Sequence, residues 1–232
     1  MNGIDRLSVG YATAAAEEIS GDTAISCGLP DGSLALILCD GMGKGAAAAA
    51  ESGTVARRLK RNLKSGMSVA QAIKEVNRHM IESAQRASEK EGRSCATAES
   101  FATVDLLIID RSCGKARFYK MGAASSFVLR DGSVRKLEQA ALPVGIIANI
   151  RLTHKTAMLR PGDIVIMVSD GITDADREDL SYNWLMELLS GEEGLAELGA
   201  KKIADFILKN AQDRCDPSKR DDQTAAVVKI PS

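Results

Sequence analysis

Aspartates at the ends of apolar segments are the feature of this sequence that most directly suggests chemistry. Asp40 follows the apolar run LALILC and Asp170 follows IVIMVS, and a glycine comes after each of them. Asp221 and Asp222 stand just before the run TAAVVKI, and Asp22 precedes another apolar stretch. A single Asp-Gly is usually only a turn. Repeated placement at strand ends instead indicates that several carboxylates converge.

Carboxylates that converge in a folded chain repel one another unless cations lie between them. Oxygen ligands without nitrogen or sulfur favour hard ions, meaning magnesium, manganese or calcium. Gly41, directly after Asp40, lets the backbone come close, so its carbonyl oxygen is a further candidate ligand. The pattern therefore predicts a divalent-cation site built from oxygen atoms.

The elements around these aspartates are predicted from hydrophobic periodicity. The run Ser33–Cys39 indicates a buried strand, paired as a hairpin with Thr23–Leu29 through the turn Pro-Asp-Gly. An Ala-rich helix follows to about Leu63, and Ser68 is a good N-cap for a second helix that Gly92 ends.

Later segments give seven further strands and two helices. Two helical pairs separated by strands do not fit a doubly wound parallel sheet. They favour an α+β fold, an α-β-β-α sandwich of two mainly antiparallel sheets flanked by helical pairs, in one domain over 1–232. The predicted strands are Phe101–Ile109, Arg117–Met121, Ser126–Arg130, Ser133–Leu137, Arg151–Met158 and Ile164–Val168, then helices Asn183–Leu189 and Leu195–Asn210, and a last strand Thr224–Ile230; Asp131-Gly132 is a hairpin turn.

Composition excludes several classes of function. The 232 residues carry a net charge of −1 and only 3% aromatic residues, which argues against nucleic-acid binding. The five cysteines form no CxxC pair, and His79 and His154 are far apart, so no zinc site is expected. No apolar run is long enough to span a bilayer, and no signal peptide is evident. We expect a cytoplasmic protein, or the soluble domain of a longer membrane-bound parent.

Two weaker motifs have ordinary explanations. Gly41, Gly43 and Gly45 are spaced GxGxG, which matches neither a dinucleotide fingerprint nor a P-loop. An acidic cluster after Asp170 resembles a calcium loop but lacks its central glycine and terminal glutamate, so a solvated loop beside the cation site is favoured. That cluster comprises Asp174, Asp176, Glu178 and Asp179.

Six segments in order resemble a known family. Together they are similar to the bacterial branch of the PPM (type 2C-like) metal-dependent protein phosphatases, and most of all to the phosphatase domain of the stage II sporulation protein E family. The resemblance runs from about Val9 to Ile230. The segments are SGD (Ser20–Asp22), CDGMGKG (Cys39–Gly45), ATVDLLIID (Ala102–Asp110), LPVGII (Leu142–Ile147), SDGI (Ser169–Ile172) and DDQT (Asp221–Thr224).

The resemblance implies a site with two divalent cations, Mn²⁺ or Mg²⁺. Asp40 would be the catalytic residue that bridges them. Asp170 and Asp221 would complete one cation site, while Asp22 and the Gly41 carbonyl would help form the other. The cations would activate a water molecule that attacks the phosphorus directly.

The chain also departs from the family pattern. Members often have a proline after Gly122, where this chain reads Gly-Ala-Ala-Ser-Ser, and no arginine before Asp22 corresponds to the phosphate-binding arginine of animal relatives. Lys44 is the candidate to assist in holding the substrate phosphate, and a solvated lysine near a helix start is the alternative.

The function implied by the resemblance is a serine/threonine phosphoprotein phosphatase in sporulation or stress partner switching. Its implied substrate is a phosphorylated STAS-type anti-anti-sigma factor, and a homodimer is the implied assembly. The rival is a catalytically weak or inactive regulatory domain. The presence of all four aspartates, Asp22, Asp40, Asp170 and Asp221, favours an enzyme.

Overall fold

The computed structural model describes residues 4, 6–90, 100–176, 183–192 and 194–231, with the backbone alone for residue 90. Within these ranges the chain forms ten strands and five α-helices. The strands are β1 Ser8–Ala14, β2 Asp22–Gly28, β3 Leu34–Asp40, β4 Val104–Asp110, β5 Lys115–Met121, β6 Ser126–Arg130, β7 Ser133–Leu137, β8 Lys155–Met158, β9 Ile164–Val168 and β10 Gln223–Lys229. The helices are α1 Gly45–Lys64, α2 Val69–Lys90, α3 Asp170–Thr173, α4 Trp184–Gly191 and α5 Ala200–Arg214.

The strands form two five-stranded antiparallel sheets. One has the order β1-β10-β9-β6-β7 and the other β2-β3-β4-β5-β8. Helices α1 and α2 cover the second sheet, whereas α4 and α5 cover the first. The predicted α-β-β-α sandwich is therefore confirmed.

Alternation along the strands divides the core into three layers. On β3, Leu36 and Leu38 face the other sheet, whereas Ala35 and Ile37 face the helices. Each sheet is consequently buried on both faces, which explains why β3 and β9 are continuous apolar runs in the sequence. The aspartates that follow them are held at the ends of rigid strands.

Several predicted boundaries were wrong for local physical reasons. Strand β1 was not predicted, because its sequence SVGYATA is small and only weakly apolar, yet it pairs along its whole length with β10. The helix predicted over 195–210 is a short 3₁₀ turn, Leu195–Glu197, followed by α5, since Gly199 is extended and precedes the first residue of α5. Residues 101–103 and 151–154 lie outside β4 and β8.

Several local predictions agree with the structure. Ser68 caps α2 by accepting a hydrogen bond from the Gln71 amide at 3.3 Å. Asp131 and Gly132 both have positive φ, as a tight hairpin turn requires. The predicted end of α2 at Gly92 and one cysteine, Cys95, lie outside the described residues. Over the ranges described, no helix is both long and apolar enough to cross a membrane.

Candidate metal centre and active site

Asp22 and Asp40 are brought together by the register of one hairpin. Asp22 is the first residue of β2 and pairs directly with Asp40, the last residue of β3. The backbone of Asp40 is fixed on its other side by Thr103, whose hydroxyl accepts from the Asp40 amide at 3.1 Å and whose amide donates to the Asp40 carbonyl at 2.8 Å. The two carboxylates therefore start from adjacent, rigidly held backbone positions.

The other sheet supplies Asp170 and Asp221. Asp170 begins α3 two residues after the end of β9, and Asp221 lies two residues before β10. Strands β9 and β10 pair antiparallel, and their ladder is extended by Ser169, whose hydroxyl accepts from the Thr224 amide at 2.9 Å. Each sheet thus contributes two of the predicted ligands.

Gly41 has no room for a side chain. A Cβ atom at this position would lie 2.1 Å from the carbonyl oxygen of Ala48 in α1. The backbone here also forms an isolated bridge with Ala102. Close packing of the first helix against the end of β3 explains why glycine follows Asp40, and the assignment of the Gly41 carbonyl as a ligand stays a prediction.

Burial, followed by mutual repulsion, raises the pKa values of Asp22, Asp40 and Asp170. Burial raises the pKa of Asp40 to about 8, and the negative charges of Asp22 and Asp170 add to the effect. Burial likewise raises the pKa of Asp22 to about 7. The pKa of Asp170 is raised by desolvation and then by the charge of Asp221. Without a bound cation, this cluster therefore favours protonated carboxyl groups.

Asp22 is the most fully buried of the four aspartates. Both of its carboxylate oxygens are buried without a hydrogen-bond partner. The hydroxyls of Ser169 and Thr224 are near enough to lower its pKa somewhat. However, they donate elsewhere, to the Asp222 carbonyl at 3.3 Å and to the Thr13 hydroxyl at 3.1 Å. Two unpartnered buried oxygens are costly unless something else binds them.

The residues present fit a hard divalent cation by their chemistry. The donors are all oxygen atoms, they carry surplus negative charge, and two of them are buried without partners. Among the residues described, no three His, Cys, Asp or Glu side chains are arranged to hold a metal ion as they stand. Cation binding would therefore require these carboxylates to draw closer together.

Comparison with known proteins identifies the family. The family model of stage II sporulation protein E (SpoIIE) matches residues 30–231. The chain belongs to the SpoIIE family. It is 32% identical to stage II sporulation protein E of Bacillus subtilis (strain 168) over 228 residues, which cover 97% of this chain and 26% of that protein. It is 30% identical to stage II sporulation protein E of Priestia megaterium over 222 residues, or 96% of this chain and 36% of that protein.

A solved SpoIIE structure has the same fold. The PP2C phosphatase domain of SpoIIE from Bacillus subtilis, with a fragment of the regulatory domain, superposes with a TM-score of 0.81 at 30% identity. The match covers 97% of this chain and 63% of that chain. This chain thus spans only about a quarter to a third of the length of the two SpoIIE relatives and corresponds to a region that includes the PP2C domain.

Lys44 contacts the aspartate cluster of this SpoIIE-family chain. Its ammonium group forms an ion pair with Asp221 at 3.8 Å and donates to the Arg220 carbonyl. Both charged side chains are well exposed to solvent. The ion pair offsets part of the negative charge at Asp221, and a contact of Lys44 with substrate phosphate stays a prediction.

Asp222 is a buried residue that the sequence analysis did not assign to the site. Its carboxylate accepts hydrogen bonds from the Ala16 and Gly21 amides, each at 2.8 Å. It therefore holds the segment that leads into Asp22 against the start of β10. The signal in the sequence was the Asp-Asp pair, but spacing alone did not show which aspartate faces the cation cluster and which is structural.

We expect Asp222→Ala to disturb the cation site through the backbone. Loss of two charge-assisted bonds should destabilise the protein by about 3 kcal/mol. It should also weaken Mn²⁺ affinity, because the segment before Asp22 loses its anchor. Thermal unfolding and calorimetric Mn²⁺ titration would measure both effects. Asp110→Ala is the matched control, since Asp110 caps an exposed turn at Ser112; equal Mn²⁺ affinity in the two variants would contradict the assignment.

Proposed function

We propose that this chain is a metal-dependent serine/threonine phosphoprotein phosphatase. One observation carries the proposal: Asp22 and Asp40 are paired at the end of one hairpin, near enough to Asp170 and Asp221 for their charges to interact, and both carboxylate oxygens of Asp22 are buried without a partner. Membership of the SpoIIE family supports it. The residues that would hold two Mn²⁺ or Mg²⁺ ions are Asp22, Asp40, the Gly41 carbonyl, Asp170 and Asp221.

The bound cations would supply a nucleophilic water at neutral pH and would neutralise charge on the phosphoryl oxygens. The chain itself fixes the position of Asp40 through Thr103 and that of Asp22 through the register of β2 and β3. Asp40 would be shared between the two cation sites, in line with its pKa being raised first by burial and then by its carboxylate neighbours.

Lys44 is the nearby cation proposed to help hold substrate phosphate. Its ammonium group is partly exposed at the edge of the cluster, 3.8 Å from Asp221. If a divalent cation takes over the charge of Asp221, the ammonium is released to contact a phosphoryl oxygen as a point charge. Lys44 would then exchange one anionic partner for another.

The proposed substrate is a phosphorylated STAS-type anti-anti-sigma factor, acted on in the cytoplasm in sporulation or stress partner switching. The similarity to the stage II sporulation protein E of Bacillus subtilis and of Priestia megaterium supports the sporulation setting. A homodimer is the proposed assembly.

Phosphate release from three substrates tests the proposal. We expect Mn²⁺-dependent turnover of a phosphoserine STAS protein, less efficient turnover of a short phosphoserine peptide from it, and none of the corresponding phosphotyrosine peptide. Chelation with EDTA should abolish turnover, and added Mn²⁺ should restore it. A folded protein inactive on all three substrates with either Mn²⁺ or Mg²⁺ would instead support the inactive regulatory domain.

A further inference from the structure

A charged network lies inside the otherwise apolar layer between the two sheets. Lys120 of β5 and Asp105 of β4 are cross-strand partners, each about 1% exposed or less. The Lys120 ammonium donates to the Asp105 carboxylate at 2.6 Å, to the Ser126 hydroxyl at 2.8 Å and to the Ala124 carbonyl. All three of its protons are therefore used.

The network joins the two sheets at the level of the aspartate cluster. Ser126 begins β6 in the opposite sheet, and its hydroxyl donates to the same Asp105 oxygen at 2.7 Å. Asp105 pairs with Leu38 of β3, which lies two residues before Asp40. A small cavity of about 10 Å³ is lined by Asp40, Asp105 and Asp170, among others, so the network borders the candidate cation site.

The hydrogen bond from Lys120 to the Ala124 carbonyl links the buried ion pair to a loop, which is not required for the pairing of two core charges. Residues 122–125 connect β5 to β6, and this loop lies beside Asp170 at the edge of an open cleft of about 610 Å³. The cleft is also lined by Thr173, Asp174 and Lys136. One end of the loop is fixed at Gly122, whose amide donates to the Ala141 carbonyl at 3.0 Å.

Energetics favour a positioning role over a stabilising one. A buried ion pair loses hydration on both partners, so apolar side chains of similar volume often stabilise a core equally well or better. The ammonium instead fixes the relative positions of a carboxylate, a hydroxyl and a loop carbonyl, because it donates a hydrogen bond to each of them. Lys120 thereby ties the middle of the loop, at Ala124, to Asp105 of β4.

We propose that Lys120, with Asp105 as its counter-ion, is a positioning residue that fixes the 122–125 loop as a wall of the phosphoprotein-binding cleft beside Asp170. The proposal rests on the phosphatase function proposed above. A phosphoprotein bound in the cleft would contact this wall with the residues that flank its phosphate. A small aryl phosphate has no residues flanking its phosphate and would depend on this wall much less.

The test compares Lys120→Met with Arg130→Met. Arg130 also forms an ion pair with a buried carboxylate, donating to Asp163 at 2.7 Å, but it lines a different cavity. The double variant Lys120→Met/Asp105→Leu removes both charges and leaves no unpaired carboxylate, so it provides a folded protein if the single variant unfolds. Hydrogen exchange of the 121–127 peptide and steady-state kinetics on a phosphoserine STAS protein and p-nitrophenyl phosphate are the measurements.

We expect faster exchange in residues 121–127 of the Lys120 variants and a KM for the phosphoprotein raised on the order of tenfold, with kcat on p-nitrophenyl phosphate within about twofold of wild type. Arg130→Met should change neither. Unchanged exchange would overturn the loop assignment, and equal losses on both substrates would overturn the cleft assignment. If the wild type releases no phosphate from either substrate, the phosphatase proposal and the cleft role fail, while the exchange measurement still decides the loop contact.

Discussion

Replacement of Asp40 by asparagine is expected to abolish Mn²⁺-dependent phosphate release, with a fall of at least about 10³-fold in kcat. Asp40 is the proposed ligand shared between both cation sites, and its backbone is held on one side by Asp22 and on the other by Thr103. Asparagine keeps the shape of the side chain but removes the negative charge. Phosphate release from a phosphoserine STAS protein at saturating Mn²⁺ measures the effect.

The matched control is Asp31→Asn, at the opposite end of the same hairpin. Asp31 accepts a hydrogen bond from the Ser33 amide at 2.9 Å in an exposed turn, far from the cluster. This variant should retain the activity of the wild type. Retention of more than about a tenth of the activity by Asp40→Asn would contradict the proposed sharing of both cations by this residue.

The stability of the cation-free protein should fall as the pH rises from about 4 to about 8. Unfolded aspartates lose their protons near 3.8, whereas in the folded chain the pKa of Asp22 is about 7 and that of Asp40 is about 8. Between these limits the folded state binds more protons than the unfolded state. The free energy of unfolding therefore decreases with pH, by at most about 1.4 kcal/mol per pH unit for each group. Above about pH 8 these two groups add no further change.

Divalent cations should reverse this trend. Cations bind the deprotonated carboxylates of the folded state, so 1 mM Mn²⁺ should raise the free energy of unfolding more at pH 8 than at pH 5. Urea unfolding in EDTA and in Mn²⁺ between pH 5 and 8.5 measures both trends. The variant Asp40→Asn should show a shallower pH dependence in EDTA. Stability in EDTA that is flat or rising between pH 5 and 8, or no response to Mn²⁺, would contradict the carboxylate cluster.

The pairing of Asp22 with Asp40 could be predicted because it depends on short-range features. Asp22 and Asp40 follow from one hairpin with a recognisable turn, and its register places them opposite each other. Asp170 and Asp221 follow from strand ends, although their partnership depends on β9 pairing with β10, which are more than 50 residues apart in the chain. The resemblance of the ordered motifs to a known family implied that Asp170 and Asp221 share a cation site, whereas the pairing of their strands was not predicted.

Buried polar groups were the features that the pattern could not reveal. Lys120 occupies a strand position where lysine normally indicates solvent, yet Ala116 and Phe118 on the same face pack between the sheets. Only the tertiary structure brings Asp105 and Ser126 to it. Asp222 was hidden for a similar reason, because its partners are amides about 200 residues away in the sequence.

Anomalous diffraction from crystals grown near pH 8 with MnCl₂ would test the central assignment most directly. We predict two manganese peaks beside Asp40, one also contacted by Asp170 and Asp221 and the other by Asp22 and the Gly41 carbonyl. Both peaks should disappear in crystals of Asp40→Asn. Manganese bound only by other residues, or no peak at these carboxylates, would contradict the proposed two-cation site.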